Sequence, residues 1–165
     1  MAFWILKEEP DHYSFDDLVK DGSARWTGVH NPLALRHLRT MAPGDRALYY
    51  HTGSERACVG LVKVTTGPAP DPGDPRPSWW VTVSPVRPLR RPIPLREIAL
   101  DPALTNLDLL RISRLSVVPV SPDHWARLLA HESATAPGDR PTARGPGRAR
   151  ASAPRRRPIA GKRRR

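Results

Sequence analysis

Large apolar residues are almost confined to the first 132 positions of the chain, and this segregation constrains what it can fold into. From Ser133 onward the sequence holds almost no apolar residue beyond alanine and the single Ile159, and Pro, Gly, Ala and Arg dominate. Such a segment buries too little surface to offset the entropy lost on ordering. The pattern predicts one folded domain in residues 1–132 and a disordered, Arg/Pro/Ala-rich basic tail in residues 133–165.

The charge is segregated in the same way. Residues 133–165 hold 11 of the 27 Lys and Arg residues and one of the 16 acidic residues, so they carry a net charge of +10 and residues 1–132 a net charge of +1. A flexible cationic chain binds phosphate polymers without reading their sequence. The tail therefore predicts non-specific phosphate affinity, although a GC-rich coding sequence would give the same composition.

The single cysteine, Cys58, excludes an intrachain disulfide and favours a reducing compartment. The apolar run at the N-terminus is broken at Lys7, which is typical neither of a signal peptide nor of an anchor. No stretch approaches the roughly 20 apolar residues that span a bilayer. We expect a cytoplasmic protein without membrane contact, and association with the nucleoid is compatible with this expectation.

Common catalytic and cofactor motifs are absent from the sequence. It contains no GxGxxG, no P-loop and no GxSxG, and its six histidines are scattered rather than paired at the spacing that zinc sites use. We therefore expect no cofactor and no metal site.

Short strands and short helices alternate along residues 1–132. Apolar runs and alternating patterns predict strands over 3–6, 47–51, 57–65, 79–86 and 117–120. Capping signals predict helices between Ser14 and Gly22, after Asn31-Pro32, at 94–98, and from Ser121 to about His131. Five prolines and two glycines predict that residues 67–77 form a loop. This order indicates an α+β fold in which short, mostly antiparallel strands form a compact barrel or bent sheet with helices over its openings.

Polar and aromatic residues cluster at four predicted strand ends and loops, where binding residues are common. The four segments carry Lys7, Glu8 and Glu9; Trp26, Gly28, His30 and Asn31; Tyr50, His51 and Thr52; and Arg111, Ser113, Arg114 and Ser116. If all four converge, they form one pocket.

Several of these residues also have an ordinary structural interpretation. Asn31 precedes a helix with proline at its first position, so we expect it to cap that helix. Trp26 stands in a polar stretch that predicts a turn, where a half-exposed ring either stacks on a ligand or fills the core. Adjacent strand residues point to opposite faces, so at most one of Glu8 and Glu9 should enter a given site.

Other aromatic and basic residues have the same two interpretations. Trp79 and Trp125 lie on periodic apolar faces and are expected in the core. Four arginines interrupted by prolines form either a solvated loop or a track for a phosphate backbone: Arg87, Arg90, Arg91 and Arg96.

Six ordered blocks resemble the EVE-domain family of the PUA-like superfamily. They are residues 3–10 (FWILKEEP), 26–31 (WTGVHN), 41–45 (MAPGD), 49–53 (YYHTG), 59–60 (VG), and 113–120 (SRLSVVPV) followed by Trp125. The resemblance runs from Phe3 to about Leu129 and implies a PUA-like pseudo-barrel whose pocket holds a modified base of DNA or RNA. Carried over onto matching motifs, the pocket would involve Trp4, Lys7, Glu9, Trp26, Asn31, Tyr50, His51, Ser113 and Arg114.

The sequence also departs from the family pattern. Glu8 stands where a small serine is usual, His30 where an arginine is common, and residues 32–35 replace a more polar stretch. The rim formed by this helix is less polar and less cationic than the family pattern.

These features predict a non-catalytic nucleic-acid-binding module that recognises a flipped or single-stranded base. A base removed from its stack needs aromatic partners, worth roughly 1–3 kcal/mol per base, and hydrogen-bond partners for its edge. Trp26 and Tyr50 are the predicted stacking pair, and Asn31 and Ser113 the predicted partners of the base edge.

Two alternatives remain open at this point. PUA-like barrels are similar to those of small amidohydrolases that use a lysine and a glutamate, and Lys7 and Glu9 have same-face spacing on one strand. In the second alternative, the chain is a non-catalytic partner of restriction or modification machinery. The sequence leaves open the base, the choice of DNA or RNA, and the oligomeric state.

Overall fold

A computed structural model describes residues 1–134 of the chain. Six strands and five α-helices follow one another in these residues. The strands are β1 (Phe3–Glu8), β2 (Ala24–Trp26), β3 (Arg46–His51), β4 (Ala57–Pro70), β5 (Trp79–Pro94) and β6 (Val117–Val120). The helices are α1 (Phe15–Asp21), α2 (Pro32–Leu38), α3 (Leu95–Leu100), α4 (Asp108–Arg111) and α5 (Pro122–Ser133), with a 3₁₀ turn at Pro102–Leu104.

All six strands belong to one mixed sheet, in the order β2-β5-β4-β3-β1-β6. Every neighbouring pair is antiparallel except β1 and β3, which are parallel with Phe3 opposite Arg46 and Glu8 opposite His51. Because parallel strands end at the same edge of a sheet, the last residues of β1 and β3 lie close together. This edge is where the cavities described below lie.

Local sequence signals explain where three of the helices begin. Ser14 and Asp17 form a capping box at the start of α1, and Gly22 ends that helix in the left-handed region at φ 76°. Asn31 caps α2 and Pro32 occupies its first turn, while Ser121 caps α5. The predicted helices after Ser14, Asn31 and Ser121 are therefore confirmed, and α5 ends two residues beyond the predicted His131.

The core is continuous and lies between the sheet and its helices. Ile5, Leu6, Leu48, Val62 and Ile93 are fully buried on the central strands. Trp125 of α5 is buried and stacks on Phe3 with ring centroids 4.6 Å apart. Trp79 is half-exposed, with the Arg39 guanidinium 4.7 Å above its ring. Of these two indoles, only Trp125 is a buried core residue as expected.

The prediction that residues 67–77 form only a loop is wrong. Strand β4 continues through Gly67 to Pro70, where Ala69 pairs with Trp80 and Pro70 with Trp79. The pairing of β3 with β4 begins at Arg46 and Lys63, and Val64 still exchanges backbone hydrogen bonds with Gly44 and Asp45, so the part of β4 beyond Val64 pairs only with β5. Prolines are tolerated there because an edge strand needs fewer backbone donors.

Three short elements were not predicted: β2, the 3₁₀ turn and α4. Strand β2 holds Ala24, Arg25 and Trp26 against Val83, Thr82 and Val81 of β5. Three residues are too few to show an alternating pattern, and the pairing partner lies more than 50 positions away. The prediction that Trp26 lies in a turn is therefore wrong, and its side chain is 7% exposed.

Two further points concern membrane-spanning helices and the C-terminal tail. No helix in residues 1–134 has the length and hydropathy that crossing a membrane requires. The predicted basic tail lies outside the described residues, apart from Ser133 and Ala134, so its predicted disorder stays a prediction.

Candidate functional site

A small cavity lies beside the ends of β1 and β2 and is called the aromatic pocket below. Its volume is about 180 Å³. Its lining comprises Glu8, His12, Tyr13, Leu18, Ala24, Arg25, Trp26, Thr27, Tyr49 and Val83. The rings of Trp26 and Tyr49 meet edge to face, with centroids 5.5 Å apart and planes at 86°. Tyr49 is fully buried and Trp26 is 7% exposed, so the aromatic surface left for a flat ligand comes mainly from the half-buried Tyr13.

The phenols of the aromatic pocket already have hydrogen-bond partners. Tyr49 donates its hydroxyl proton to the carbonyl of Tyr13 at 2.7 Å, and Tyr13 donates to Asp21 at 2.7 Å. Burial and the Asp21 carboxylate raise the pKa of Tyr13 to about 12, and burial raises the pKa of Tyr49 as well. Both phenols stay protonated at neutral pH and fix the shape of the pocket.

Glu8 is the acidic side chain that faces the aromatic pocket. Its Oε1 accepts a hydrogen bond from the Glu9 backbone N–H at 2.9 Å and lies 3.1 Å from His12 Nδ1. Its Oε2 has no hydrogen-bond partner within residues 1–134. A carboxylate oxygen held in this way is an acceptor for an N–H group of a ligand.

A larger cavity lies on the other face of the sheet edge and is called the cationic cavity. It measures about 700 Å³. The polar part of its lining is Lys7, Thr52, Ser54, Glu55, Arg56, Arg96 and Ser113. The rest of its lining is Tyr50, Gly53, Pro94, Leu95, Ala99, Leu109 and Leu110.

Lys7 stands at the centre of this edge and joins three segments. Its Nζ donates to the carbonyl of Ser113 at 2.6 Å and lies 5.9 Å from the centroid of the Tyr50 ring. Burial lowers the pKa of Lys7 and raises that of Tyr50, and the nearby Arg56 guanidinium opposes the shift at Tyr50. Lys7 is thus a partly desolvated ammonium placed over an aromatic ring.

A third space, the connecting cavity, measures about 380 Å³ and adjoins the other two. Glu8 lines both it and the aromatic pocket, and Lys7, Thr52 and Ser113 line both it and the cationic cavity. Its remaining lining is Glu9, Arg114 and Ser116. The three spaces together follow the ends of β1 and β3 from one face of the sheet to the other.

Five of the nine predicted site residues meet at the connecting and cationic cavities. They are Lys7, Glu9, Tyr50, Ser113 and Arg114. Three of the four predicted segments therefore converge. The fourth segment contributes Trp26 and Thr27 to the aromatic pocket instead.

The predicted sandwich of Trp26 and Tyr50 is wrong, because the two rings line different cavities. Trp26 packs on Tyr49, and successive strand residues point to opposite faces, so Tyr50 faces the cationic cavity. The aromatic neighbours of a ligand beside Trp26 are therefore Tyr49 and Tyr13.

Three further predicted residues have structural roles outside the cavities. Trp4 is buried and donates its indole N–H to Asp45 at 3.0 Å. His51 is buried too, accepts from the Phe15 N–H through Nε2, and has Nδ1 2.7 Å from Glu55. Asn31 accepts from two backbone N–H groups at 3.0 Å and lines none of the three cavities. It is the helix cap expected of it.

The expectation that only one of Glu8 and Glu9 enters a given site is also wrong. Strand β1 ends at Glu8, so strand alternation no longer applies to Glu9, and both carboxylates line the connecting cavity. Glu9 shares that cavity with Lys7, as the amidohydrolase alternative requires.

The interpretation of the arginine row as a loop is wrong, because Arg87, Arg90 and Arg91 lie in β5 and Arg96 lies in α3. Arg87 binds Glu132, and Arg91 binds Glu97 at 2.8 Å, so these two guanidinium groups hold β5 to α5 and α3. Arg96 instead lines the cationic cavity.

Apart from Thr52 and Arg96, sequence reasoning missed the residues that α3, α4 and the β3–β4 hairpin add to the site. Nothing in the sequence identifies Arg56 as a site residue. Its one distinguishing feature, a φ of 46° in a residue other than glycine, is visible only in the structure. Leu95, Ala99 and Leu109 gave no signal in the sequence either, because α3 and α4 are short and their packing is a tertiary property. Within residues 1–134 no group of three His, Cys, Asp or Glu side chains is arranged to hold a metal ion.

The mixed six-stranded sheet with helices over its ends is a PUA-like fold, with cavities where β1 and β3 end. An EVE domain model matches residues 2–131, and the chain belongs to the EVE-domain family. Thymocyte nuclear protein 1 of Gallus gallus is 31% identical over 164 residues, covering 78% of this chain and 68% of that protein.

Two solved structures are similar over nearly the whole domain. An NMR structure of a Rhodopseudomonas palustris protein has a TM-score of 0.76 and 34% identity, covering 81% of this chain and 94% of that one. The crystal structure of the human THYN1 protein in complex with 5-methylcytosine containing DNA has a TM-score of 0.75 and 27% identity, covering 82% and 99%.

Proposed function

We propose that this protein binds DNA without catalysis and holds a modified cytosine in the aromatic pocket. The observation that carries the proposal is the placement of the Glu8 carboxylate beside the rings of Trp26 and Tyr49 in a cavity of about 180 Å³. The complex of the human relative with DNA containing 5-methylcytosine supports the same ligand class.

The pocket has the groups that a cytosine needs. Cytosine presents an exocyclic N4 amine, which donates to carboxylates, and Glu8 Oε2 is available as its acceptor. The apolar part of the lining is Leu18, Ala24 and Val83, of which the half-buried Ala24 exposes surface to a methyl group. Stacking against aromatic rings replaces part of the stacking that the base loses on leaving its helix.

Charge at the rim favours a nucleic-acid strand over a free base. Arg25 lines the aromatic pocket, and its guanidinium lies 4.5 Å from the centroid of the Trp80 ring. Phosphate contacts by such cations position a strand without reading its sequence. RNA remains within the proposal, because nothing in the pocket depends on the sugar.

The decisive test is the Glu8→Gln variant, with Glu9→Gln as its matched control. In Glu8→Gln one of the two carboxylate oxygens is replaced by an NH2 donor, which must face either the Glu9 N–H or the cytosine amine. Removing this hydrogen bond should weaken binding of a 5-methylcytosine oligonucleotide by about 5- to 150-fold, equivalent to roughly 1–3 kcal/mol. Glu9 lines the connecting cavity and not the aromatic pocket, so Glu9→Gln should stay within about twofold.

Fluorescence anisotropy with a labelled oligonucleotide measures both variants, and their melting temperatures check the fold. A Trp26→Phe variant adds a second test, because it retains an aromatic ring but removes indole surface. Unchanged affinity in Glu8→Gln, together with weakened binding in Glu9→Gln, would overturn the base assignment.

The amidohydrolase alternative has one observation in its favour: Lys7 and Glu9 share the connecting cavity, and burial lowers the pKa of Lys7. Against it, Lys7 Nζ is already bound to the Ser113 carbonyl. Incubation with an N4-acylated cytidine and chromatographic detection of the released acid tests it. Hydrolysis that disappears in Lys7→Ala, while DNA binding remains, would favour the enzyme.

A further inference from the structure

The cationic cavity contains unbalanced positive charge. Lys7, Arg56 and Arg96 contribute three cations, and the one carboxylate in its lining, Glu55, lies 2.7 Å from His51 Nδ1. Arg96 forms no ion pair with any residue of the described chain, unlike Arg87 and Arg91 of the same region. Cations gathered in a concave wall attract an anion.

Arg56 is held in place at a conformational cost. Its φ of 46° lies in the left-handed region, which residues with a β-carbon rarely occupy. The Leu95 N–H donates to the Arg56 carbonyl at 2.8 Å and so ties this backbone to α3. Strained backbone persists where surrounding structure enforces it and is common at ligand sites.

One residue in the lining of the same cavity has a buried polar atom without a hydrogen-bond partner. Thr52 Oγ1 is shielded from solvent and has no hydrogen-bond partner within residues 1–134. Buried polar atoms are nearly always paired, so an unpaired hydroxyl oxygen in a residue that borders a cavity is unusual. Thr52 lines both the cationic and the connecting cavity.

The remaining lining of the cavity is largely apolar and limits the kind of anion. It is formed by Tyr50, Pro94, Leu95, Ala99, Leu109 and Leu110. A volume of about 700 Å³ far exceeds that of a bare phosphate and is within the range of small-molecule sites. The occupant must combine a phosphate-like charge with a flat or apolar body and with hydroxyls for Ser54 and Ser113.

We propose that the cationic cavity binds a nucleoside 5′-phosphate at a site separate from the aromatic pocket. The phosphate lies among Lys7, Arg56 and Arg96, and the base lies against Tyr50 and the leucines. The ligand is either a free nucleotide or a neighbouring nucleotide of the strand whose base occupies the aromatic pocket, since the connecting cavity joins the two spaces. The site itself does not rest on the cytosine proposal, and only the second of these two sources does.

The first experiment titrates the ¹⁵N-labelled full-length chain with 5′-CMP, cytidine and inorganic phosphate. We expect 5′-CMP to bind at least tenfold more tightly than either comparator and to shift the amide signals of residues 52–56 and 95–99. Equal affinity for phosphate and 5′-CMP would overturn the proposal. So would shifts confined to the aromatic pocket.

Two variants remove cavity cations without disturbing the fold. Arg56→Gly suits the left-handed backbone and keeps the carbonyl that binds Leu95, and Arg96→Gln alters an exposed side chain. Each should weaken 5′-CMP binding at least fivefold. The matched control is Arg46→Gln, at the opposite end of β3, which should stay within twofold. Unchanged 5′-CMP affinity in both cavity variants would overturn the site.

Oligonucleotide binding separates the two sources of the nucleotide. If the ligand is part of the strand, Arg56→Gly weakens binding of the 5-methylcytosine oligonucleotide, and 5′-CMP competes with it. If the ligand is free, Arg56→Gly leaves oligonucleotide binding unaffected and weakens 5′-CMP binding at least fivefold, and both results support the site. Oligonucleotide binding that depends on Glu8, with no 5′-CMP binding at all, would refute this inference and leave the proposed function intact.

Discussion

The ring of Phe15 lies against the α-carbon of Gly60, so close that a β-carbon at position 60 would stand well inside 3.0 Å of three ring atoms. Phe15 opens α1 and is buried, and Gly60 lies in the middle of β4. The packing fixes the helix that forms one wall of the aromatic pocket through Leu18. Glycine is required here for close approach rather than for backbone freedom.

Gly60→Ala should therefore destabilise the protein by about 1–3 kcal/mol, the usual cost of forcing extra volume into a packed core. Thermal unfolding followed by circular dichroism measures the effect. Gly73→Ala is the matched control, because its β-carbon would meet only Asp71 Oδ1 at an ordinary 3.4 Å. Equal melting temperatures for the two variants would show that the Phe15 ring yields without cost.

Asp101 links α5 to the 3₁₀ turn and should make stability depend on acid pH. Arg127 at 2.6 Å, with His131 and the Ala103 N–H, holds the pKa of this carboxyl well below its ordinary range. A depressed folded-state pKa contributes stability that is complete above about pH 4 and is lost as pH falls toward the folded-state pKa.

Asp101→Asn should lower the melting temperature by roughly 3–10 °C at neutral pH, since hydrogen bonds to a charged group are removed. It should also flatten the loss of stability below about pH 4. Denaturation scans between pH 2 and pH 7 measure both effects. Asp11→Asn, at an exposed turn, is the control. An acid transition that is as steep in Asp101→Asn as in the parent would contradict the assignment.

Selectivity for the modified base should be modest. One methyl group in an apolar recess is worth roughly 10- to 200-fold in affinity. Paired oligonucleotides that differ only at one cytosine should therefore differ in dissociation constant within that range. Competition anisotropy at a fixed salt concentration measures the ratio. A ratio near one would mean that the recess does not touch the methyl group.

The basic tail should add affinity without adding selectivity. Deleting residues 135–165 removes the 11 tail cations. The slope of log K against log salt should become shallower by roughly 0.7–0.9 for each phosphate that the tail neutralises, because fewer counterions are released. The ratio of modified to unmodified binding should stay the same. A ratio that collapses on deletion would show that the tail takes part in base recognition.

Local signals in the sequence were sufficient for many of the elements. The apolar run from Phe3 predicts β1, and the capping residues Ser14, Asn31 and Ser121 mark three helix starts correctly. Residues 117–120 form the predicted strand. These features depend on neighbouring residues only, so they can be predicted from a short window.

The part of the site formed by the family motifs could also be predicted from the sequence. Lys7, Tyr50 and Ser113 were predicted together and line one cavity. Glu8, in contrast, belongs to the polar residues at the end of the first strand but not to the predicted pocket, and it proved to face the aromatic pocket. Which of two adjacent strand residues faces a cavity depends on where the strand ends.

What the sequence determined by itself is the segregation of large apolar residues from the basic C-terminal segment, the identity of most elements in residues 1–134, and the end of β3 at His51. The tertiary structure alone decided that Trp26 joins a sheet through Val81, and that Tyr49 and Tyr50 serve different cavities. It also decided that Arg56 and Arg96 reach the same space. The physical reason is that strand pairing and side-chain packing join residues far apart in the chain, whereas propensities and caps act over a few positions.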